Sequence, residues 1–329
     1  MSTLVTGGSG FVGLNIAAAF LERGETVVLL DVNGPPTAAE RHLRSLPGTL
    51  VVESGDVRNG AVTARIMARH KVERLVHGAA ITAGPERETK QARFIAEVNF
   101  GGTIETLEAA LAAGVSRIVQ LGTGSVFGAA IRPGTEIIDE ADTAPVPDSL
   151  YGITKYAAER TALRYRDKRG LDVVVARLGV VFGPWEYDTG VRDTLSIPLQ
   201  LLRAAEAGET ARFRRTLPDD WVYVKDVANA VAALLDMPAA PHPVYQIATG
   251  ARWSIPDWCE RLKRRFPGFD FAVVEGDDPG TIGATQPSGR PPFSVERLRR
   301  DAGFSAAFRP ADAFDDYLRW RDATREQRS

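Results

Sequence analysis

The chain has 329 residues, 44% hydrophobic and 25% charged, with a formal net charge of −2. This suits a globular fold with one large core and a second lobe, and the lack of a basic excess argues against a nucleic-acid partner. One cysteine, Cys259, excludes a disulfide framework and a thiolate metal site, and His42, His70, His77 and His242 lack metal-ligand spacing, so no metal is expected. No uncharged apolar run approaches the ~20 residues that span a bilayer. A strand beginning near residue 2 is expected to leave no room for a signal peptide, so the expected location is the cytoplasm, away from membranes.

In chain order, β-branched runs alternate with helical stretches. Thr3–Val5, Thr26–Leu30, Leu50–Val52, Arg74–His77 and Arg117–Leu121 read as buried strands. Leu14–Arg23, Ala61–His70 and Arg93–Ala113 carry helical periodicity between them. A helix starts near Tyr151, and a sixth strand follows over Asp172–Arg177. This alternation predicts an α/β fold with a doubly wound parallel sheet, the Rossmann arrangement. Beyond Arg177 come a break at Gly183-Pro184-Trp185, a helix near Ile197–Ala207, a second over Val227–Leu235 and a late strand at Tyr245–Ala248. The expected division is a dinucleotide domain over residues 1–178 with returning segments near 220–248. Residues 179–219 and 249–329 would form a smaller, interleaved substrate lobe. The arginines at 212, 214 and 215 and between Arg261 and Arg265 read as solvated faces.

Gly7-Gly8-Ser9-Gly10-Phe11-Val12-Gly13 joins the first strand to the first helix. Glycines at 7, 10 and 13 permit a tight turn, close approach of backbone to a pyrophosphate and close packing of helix on sheet. The helix N-terminus that follows offers its N–H groups to phosphate. Asp31 ends the second strand, where a carboxylate can bind both ribose hydroxyls and repel a 2′-phosphate, so NAD is favoured over NADP. Asp56-Val57 can reach the adenine edge or form a plain turn.

Tyr151 and Lys155 stand four residues apart. On a helix they share one face, so the ammonium can sit near both the phenol and a bound ribose and lower the phenol pKa. Together with Gly7/Gly10/Gly13, Asp31, Asp56-Val57, His77-Gly78-Ala79-Ala80, Asn99, the run from Leu121 to Gly128, Arg177–Pro184 and Trp221–Asp226, the chain resembles an extended short-chain dehydrogenase/reductase. Within that group it is similar to the NAD-dependent epimerase/dehydratase family, which includes UDP-glucose 4-epimerase.

The resemblance implies an NAD-dependent enzyme of carbohydrate metabolism. Tyr151 would be the general acid or base, Lys155 would hold the nicotinamide ribose, and Thr123 would orient the reacting oxygen, with Ser125 as a second candidate. Gly7, Gly10, Phe11, Val12, Gly13, Asp31, Asp56, Val57, Ala79, Ala80 and Asn99 would line the cofactor. Asn99 reads equally as a relay residue or a polar helix cap. Thr82, Ser125, Arg192 and Arg290 are candidate substrate residues.

The dehydratase branch has Thr-Asp-Glu where this chain has Thr123-Gly124-Ser125, which argues against 4,6-dehydration. Gly179 and Asp219 replace an Asn and an Arg of the nucleotide-sugar epimerases, which favours a small sugar, sugar acid or other hydroxy compound as substrate. The expected activity is oxidation of a secondary alcohol. An epimerase that retains its NAD is the alternative, and a non-catalytic NAD sensor is a third reading. The resemblance also implies a homodimer, with Phe94, Val98, Ile104 and Leu107 free either to pair with a second copy or to cover the sheet.

Overall fold

A computed structural model describes the chain except residues 133, 188, 189, 191, 215–219, 276, 277, 279, 284–289 and 327–329. The first half runs β1 (Ser2–Thr6), α1 (Phe11–Glu22), β2 (Thr26–Asp31), α2 (Thr37–Arg44), β3 (Thr49–Ser54), α3 (Gly60–Arg69), β4 (Arg74–His77), α4 (Pro85–Ala96), α5 (Gly102–Ala113) and β5 (Arg117–Thr123). It continues through α6 (Leu150–Arg169), β6 (Val173–Leu178), β7 (Val180–Phe182), α7 (Ile197–Ala207), β8 (Thr210–Phe213), β9 (Trp221–Tyr223), α8 (Val224–Asp236) and β10 (Val244–Ile247). The remaining elements are α9 (Ile255–Arg265), β11 (Asp270–Val273), α10 (Glu296–Ala302) and α11 (Pro310–Glu326).

Seven strands form one parallel sheet in the order β10-β6-β5-β4-β1-β2-β3. Strand neighbours are buried on both faces, which is why these segments read as apolar runs without alternation. Val5, Leu29, Val76, Val119 and Val174 pack on α1 and α8, whereas Leu4, Val28, Leu75, Ile118 and Val173 pack toward α3, α5 and α6. After β1 the chain moves outward through β2 and β3 and then crosses back to β4 on the other side. The switch point therefore lies between β1 and β4, where ligands bind in such sheets.

The predicted helix over Arg93–Ala113 is in fact two helices. Glu97–Gly101 forms a π-turn between α4 and α5 and points the Asn99 side chain into the core. Such turns insert an extra residue per turn and re-aim one side chain, a placement common at functional sites. The late strand is found as β10, one register step earlier than expected, paired with β6.

A second core lies beyond the sheet. Phe182 is fully buried at its centre, with ring centroids 5.3 Å from Tyr223, 5.4 Å from Trp253, 5.4 Å from Trp258 and 6.0 Å from Tyr317. Edge-on packing of this kind adds to the burial itself. Two two-stranded pairings, β8 with β11 and β7 with β9, frame it. Among the described residues no helix is long and apolar enough to cross a membrane, and no three His, Cys, Asp or Glu side chains gather as metal ligands.

Phe182→Ala leaves a cavity among rings that cannot collapse onto it. The expected loss is about 3–5 kcal/mol of stability, read from the urea midpoint; a loss below about 1 kcal/mol would show that this cluster is loosely packed.

Candidate active site

The glycine loop closes over the ends of β1 and β4. Gly7 has φ +68°, and a Cβ there would stand 2.8 Å from the Ala79 backbone nitrogen. At Gly13 a Cβ would stand 2.3 Å from the Gly7 carbonyl oxygen, whereas at Gly10 the nearest heavy atom lies 3.2 Å away. Gly7 and Gly13 are thus required by the fold of the loop, and Gly10 keeps its outer face open. Gly10 caps α1 without a side chain, and the first turn (Phe11, Val12, Gly13) brings no acid of its own to the positive end of the helix dipole.

Asp31 accepts a hydrogen bond from Ser9 N at 3.1 Å and from Val32 N at 2.8 Å. Burial raises its pKa, and the N–H donors of Ser9, Val32 and Asn33 oppose that rise. Ala79 and Ala80 are half-buried beside Gly7. Asp56 is held by Arg58, with contacts of 2.6–3.1 Å, and its carboxyl pKa is lowered by that partner. Val57 packs against Gly102, where a Cβ would meet Val57 Cγ2 at 2.7 Å. The cradle has the shape and the donors that a dinucleotide requires.

A buried polar chain connects this loop to α6. Thr6 Oγ1 accepts from Gly78 N at 3.2 Å and Ala79 N at 3.4 Å, so its own hydrogen goes to His77 Nδ1 at 2.7 Å. His77 Nε2 then carries the ring hydrogen and donates it to Thr103 Oγ1 at 3.1 Å, and Thr103 donates to the Asn99 carbonyl at 2.8 Å. The ring is neutral, because burial and the nearby Lys155 charge lower its pKa to about 3. Asn99 Nδ2 donates to Ile81 O at 3.0 Å and Thr154 Oγ1 at 3.2 Å, while its Oδ1 accepts from Ile81 N at 2.7 Å. Every hydrogen-bonding atom of that side chain is used. Asn99 therefore braces the segment after β4 against the catalytic helix.

Ser149 caps α6 by accepting from Gly152 N at 3.1 Å. In the first turn, at the second residue of α6, stands the half-buried Tyr151, whose phenol is influenced by the hydroxyls of Thr123, at the end of β5, and Thr82, after β4. Burial raises its pKa; those two hydroxyls and the charges of Arg192 and Arg290 act in the opposite direction. The charges that act on the phenol in the structure are the Arg192 and Arg290 guanidinium groups, whereas the sequence pointed to Lys155 for that role. Thr123 also donates to Ser125 Oγ at 3.3 Å and accepts from Ser125 N at 3.1 Å.

Lys155 is buried, and burial lowers its pKa to about 8 against the opposing pull of Glu159. Glu159 in turn takes a two-pronged contact from Arg177 at 2.8 and 2.6 Å, and that guanidinium lies 5.0 Å from the centre of the Phe127 ring. Glu159 and Arg177 were visible in the sequence only as members of longer motifs; their pairing joins α6 to β6.

Of the four candidate substrate residues, Thr82, Arg192 and Arg290 act on this phenol, and Ser125 is bonded to Thr123. Arg192 is paired with the buried Glu186 at 3.1 Å, and Glu186 also accepts from Ser196 N at 2.7 Å and Ser196 Oγ at 2.6 Å. Asp193 N donates to Thr82 O at 3.1 Å, and Arg87 clamps Asp193 at 2.7–2.9 Å. Tyr187 reaches back to donate to the Ser9 carbonyl at 2.7 Å, and Asn15 on α1 donates to Pro184 O at 2.8 Å. No local pattern could have announced these two clasps, whose partners lie 178 and 169 residues apart. Gly179 borders Ala248, with 3.4 Å between a Cβ there and Ala248 Cβ. Asp219 lies outside the described residues.

The sequence profile of the NAD dependent epimerase/dehydratase family matches residues 3–248. The chain belongs to that family. It is 28% identical to UDP-glucuronate 4-epimerase 1 of Arabidopsis thaliana over 80% of its own length, and the match spans 64% of that relative. It is 27% identical to dTDP-glucose 4,6-dehydratase of Streptomyces niveus, covering 97% of this chain and 92% of the other. Its fold is shared by UDP-glucose 4-epimerase of Thermotoga maritima, solved with UDP-glucose, with a TM-score of 0.81 and 20% identity over 98% of this chain and 99% of that one.

Because Lys155 titrates near 8 when folded and near 10.4 when unfolded, the unfolded chain holds more protons between those values. Stability contributed at this position therefore rises with pH across that window, and the burial cost is fully present below it. Compared with Lys155→Met, the wild-type chain should gain on the order of 2–3 kcal/mol between pH 8 and 10. Parallel stability curves for the two proteins would place the lysine in solvent.

Proposed function

We propose that the chain is an NAD-dependent oxidoreductase acting on a secondary alcohol of a sugar or sugar derivative. The observation that carries this reading is the setting of Tyr151. Its phenol is acted on by the Thr123 and Thr82 hydroxyls and by the charges of Arg192 and Arg290, all of which favour its ionised form. Thr123 ends the strand next to β4, at the same end of the sheet as the glycine loop. Gly7, Gly10, Phe11, Val12 and Gly13 would hold the pyrophosphate, and Asp31 the adenosine ribose. Asp56 and Val57 would border the adenine. Ala79, Ala80 and Asn99 would wall the nicotinamide half, with Lys155 on its ribose. When bound, NAD supplies the acceptor for the hydride that leaves the carbinol carbon.

The chain's own part is proton transfer and positioning. Thr123 Oγ holds the substrate oxygen beside the phenol, and Tyr151 takes the hydroxyl proton as the carbon loses its hydride. Hydroxyls and cations already aimed at the phenol oxygen favour its ionised form at the moment of transfer. Gly124 and Ser125 carry no carboxylate, so protonation and loss of a neighbouring hydroxyl has no donor at these positions. Tyr151→Phe should lower turnover at least about 1,000-fold while NAD affinity, followed by fluorescence, changes little. The substrates are a panel of free sugars, sugar acids and nucleotide sugars. Wild-type rates in this variant would remove Tyr151 from the chemistry.

A second reading is epimerisation with retained NAD, the same carbon being oxidised and then reduced on its other face. It is supported by the nucleotide-sugar relatives and by the two clasps that tie the 184–187 segment over the cofactor loop. Nucleotide sugars are accordingly candidate substrates alongside the smaller compounds. Tyr187→Phe loosens one clasp and should at least halve the NAD that survives gel filtration; unchanged retention would show that the clasp does not gate the cofactor. We also propose a homodimer through α4, α5 and α6. Phe94 is 40% and Ile153 49% exposed there, whereas Leu107 is fully buried against the sheet and is not available to a partner.

A further inference from the structure

Gly124 sits between Thr123 and Ser125, and no side chain fits there. A Cβ would stand 2.3 Å from Phe293 Cζ and 3.0 Å from Arg290 Nη1. The Phe293 ring fills the space beside Gly124 and the Arg290 guanidinium borders it, so a cation stands near the position where the dehydratase pattern has an acid. Arg290 also acts electrostatically on the Tyr151 phenol, favouring its ionised form.

Its segment is firmly held. Ile138 N donates to Pro292 O at 2.9 Å and Ser294 N donates to Ile138 O at 2.8 Å. Phe293 N donates at 3.0 Å to the buried Asp220, which also accepts from Thr249 N at 2.9 Å, Thr249 Oγ1 at 2.6 Å and Gly250 N at 3.1 Å. The Phe293 ring packs 5.9 Å from Phe127 within a small core that includes Val126, Ile138 and Ala248. The C-terminal lobe therefore delivers a cation to the pocket on a rigid platform. Arg192, the other cation acting on the phenol, is paired with Glu186 at 3.1 Å. The Glu88 carboxylate, which accepts from Tyr151 N at 3.3 Å, belongs to the helix N-terminus.

We propose that Arg290 is a specificity-determining residue that binds a carboxylate on the sugar ring undergoing oxidation, so that the substrate is a uronate or other sugar acid and not its neutral counterpart. A planar fork of N–H donors matches a carboxylate with two parallel hydrogen bonds. Thr123, Ser125 and Thr82 supply the hydroxyls around it. This rests on the redox reading of the same site.

The test compares compounds that differ only at C6: D-glucose, D-glucuronate and glucose 6-phosphate, together with UDP-glucose and UDP-glucuronate. The NAD-loaded protein is assayed for NADH and for epimer formation. For the wild-type chain the acid should exceed its neutral partner by about 100-fold in kcat/KM. That ratio should collapse in Arg290→Gln and be intermediate in Arg290→Lys, which keeps the charge but not the fork; thermal midpoints confirm that both variants fold. Preference for the neutral or phosphorylated member, or an acid preference that survives in Arg290→Gln, overturns the proposal and leaves the redox reading standing. If no compound turns over, calorimetric titration of the NAD-loaded protein with the same panel decides. Acid binding that depends on Arg290 sustains the proposal while the redox reading fails, and the lack of such dependence overturns it.

Discussion

Thr6, the last residue of β1, spends its hydroxyl on three neighbours: Gly78 N, Ala79 N and His77 Nδ1. From there the buried chain of His77, Thr103, Asn99 and Thr154 runs to the first turn of α6. Each member is buried, so each would be costly without its partner. This chain makes the two halves of the site one object. It fixes the end of β4 against the glycine loop and sets the height of the helix that carries Tyr151. The π-turn between α4 and α5 serves the same end, since a regular helix would turn Asn99 away from Ile81.

Charge in the site is arranged by compensation. Lys155 is buried at a cost that Glu159 partly offsets, and Glu159 is held by Arg177. A buried pair of this kind contributes little net stability, but losing one partner strands the other. Around the phenol, burial and the cluster of hydroxyls and guanidinium groups oppose one another. Burial dominates in the ligand-free chain, and the opposing groups are those placed to favour tyrosinate as substrate and cofactor close the pocket.

The doubly wound sheet was legible because its strands are short apolar runs and its first turn is crowded with glycine. Tyr151, Lys155 and Thr123 were legible through spacing and resemblance; in the structure the Thr123 hydroxyl acts on the Tyr151 phenol, while the buried Lys155 is coupled to Glu159 and His77. The split of the helix at Asn99 was not legible, since Arg93–Ala113 keeps an unbroken helical pattern through the π-turn. The roles of Asp220, Glu186 and Tyr187 were also hidden: each depends on partners brought close by the second lobe, with no local periodicity to signal it. Asp226 carries a similar lesson, because its motif marked it without revealing that it holds Ala307 N at 2.8 Å and Phe308 N at 3.0 Å. Arg290 was only one of four candidate substrate residues in the sequence, and nothing there showed that it and Phe293 stand over Gly124.

The central claim is geometric: the glycine cradle and the Tyr151 phenol belong to one crevice, joined through the Thr6–Thr154 chain. An experimental structure of the protein with NAD bound tests it most directly. The account predicts the pyrophosphate on the first turn of α1, the ribose hydroxyls on Asp31 and Lys155, and the reactive carbon of the nicotinamide within about 4 Å of a point that both Tyr151 and Thr123 oxygens can reach. A nicotinamide turned away from Tyr151, or a dinucleotide seated anywhere but the β1–β4 switch point, would contradict it.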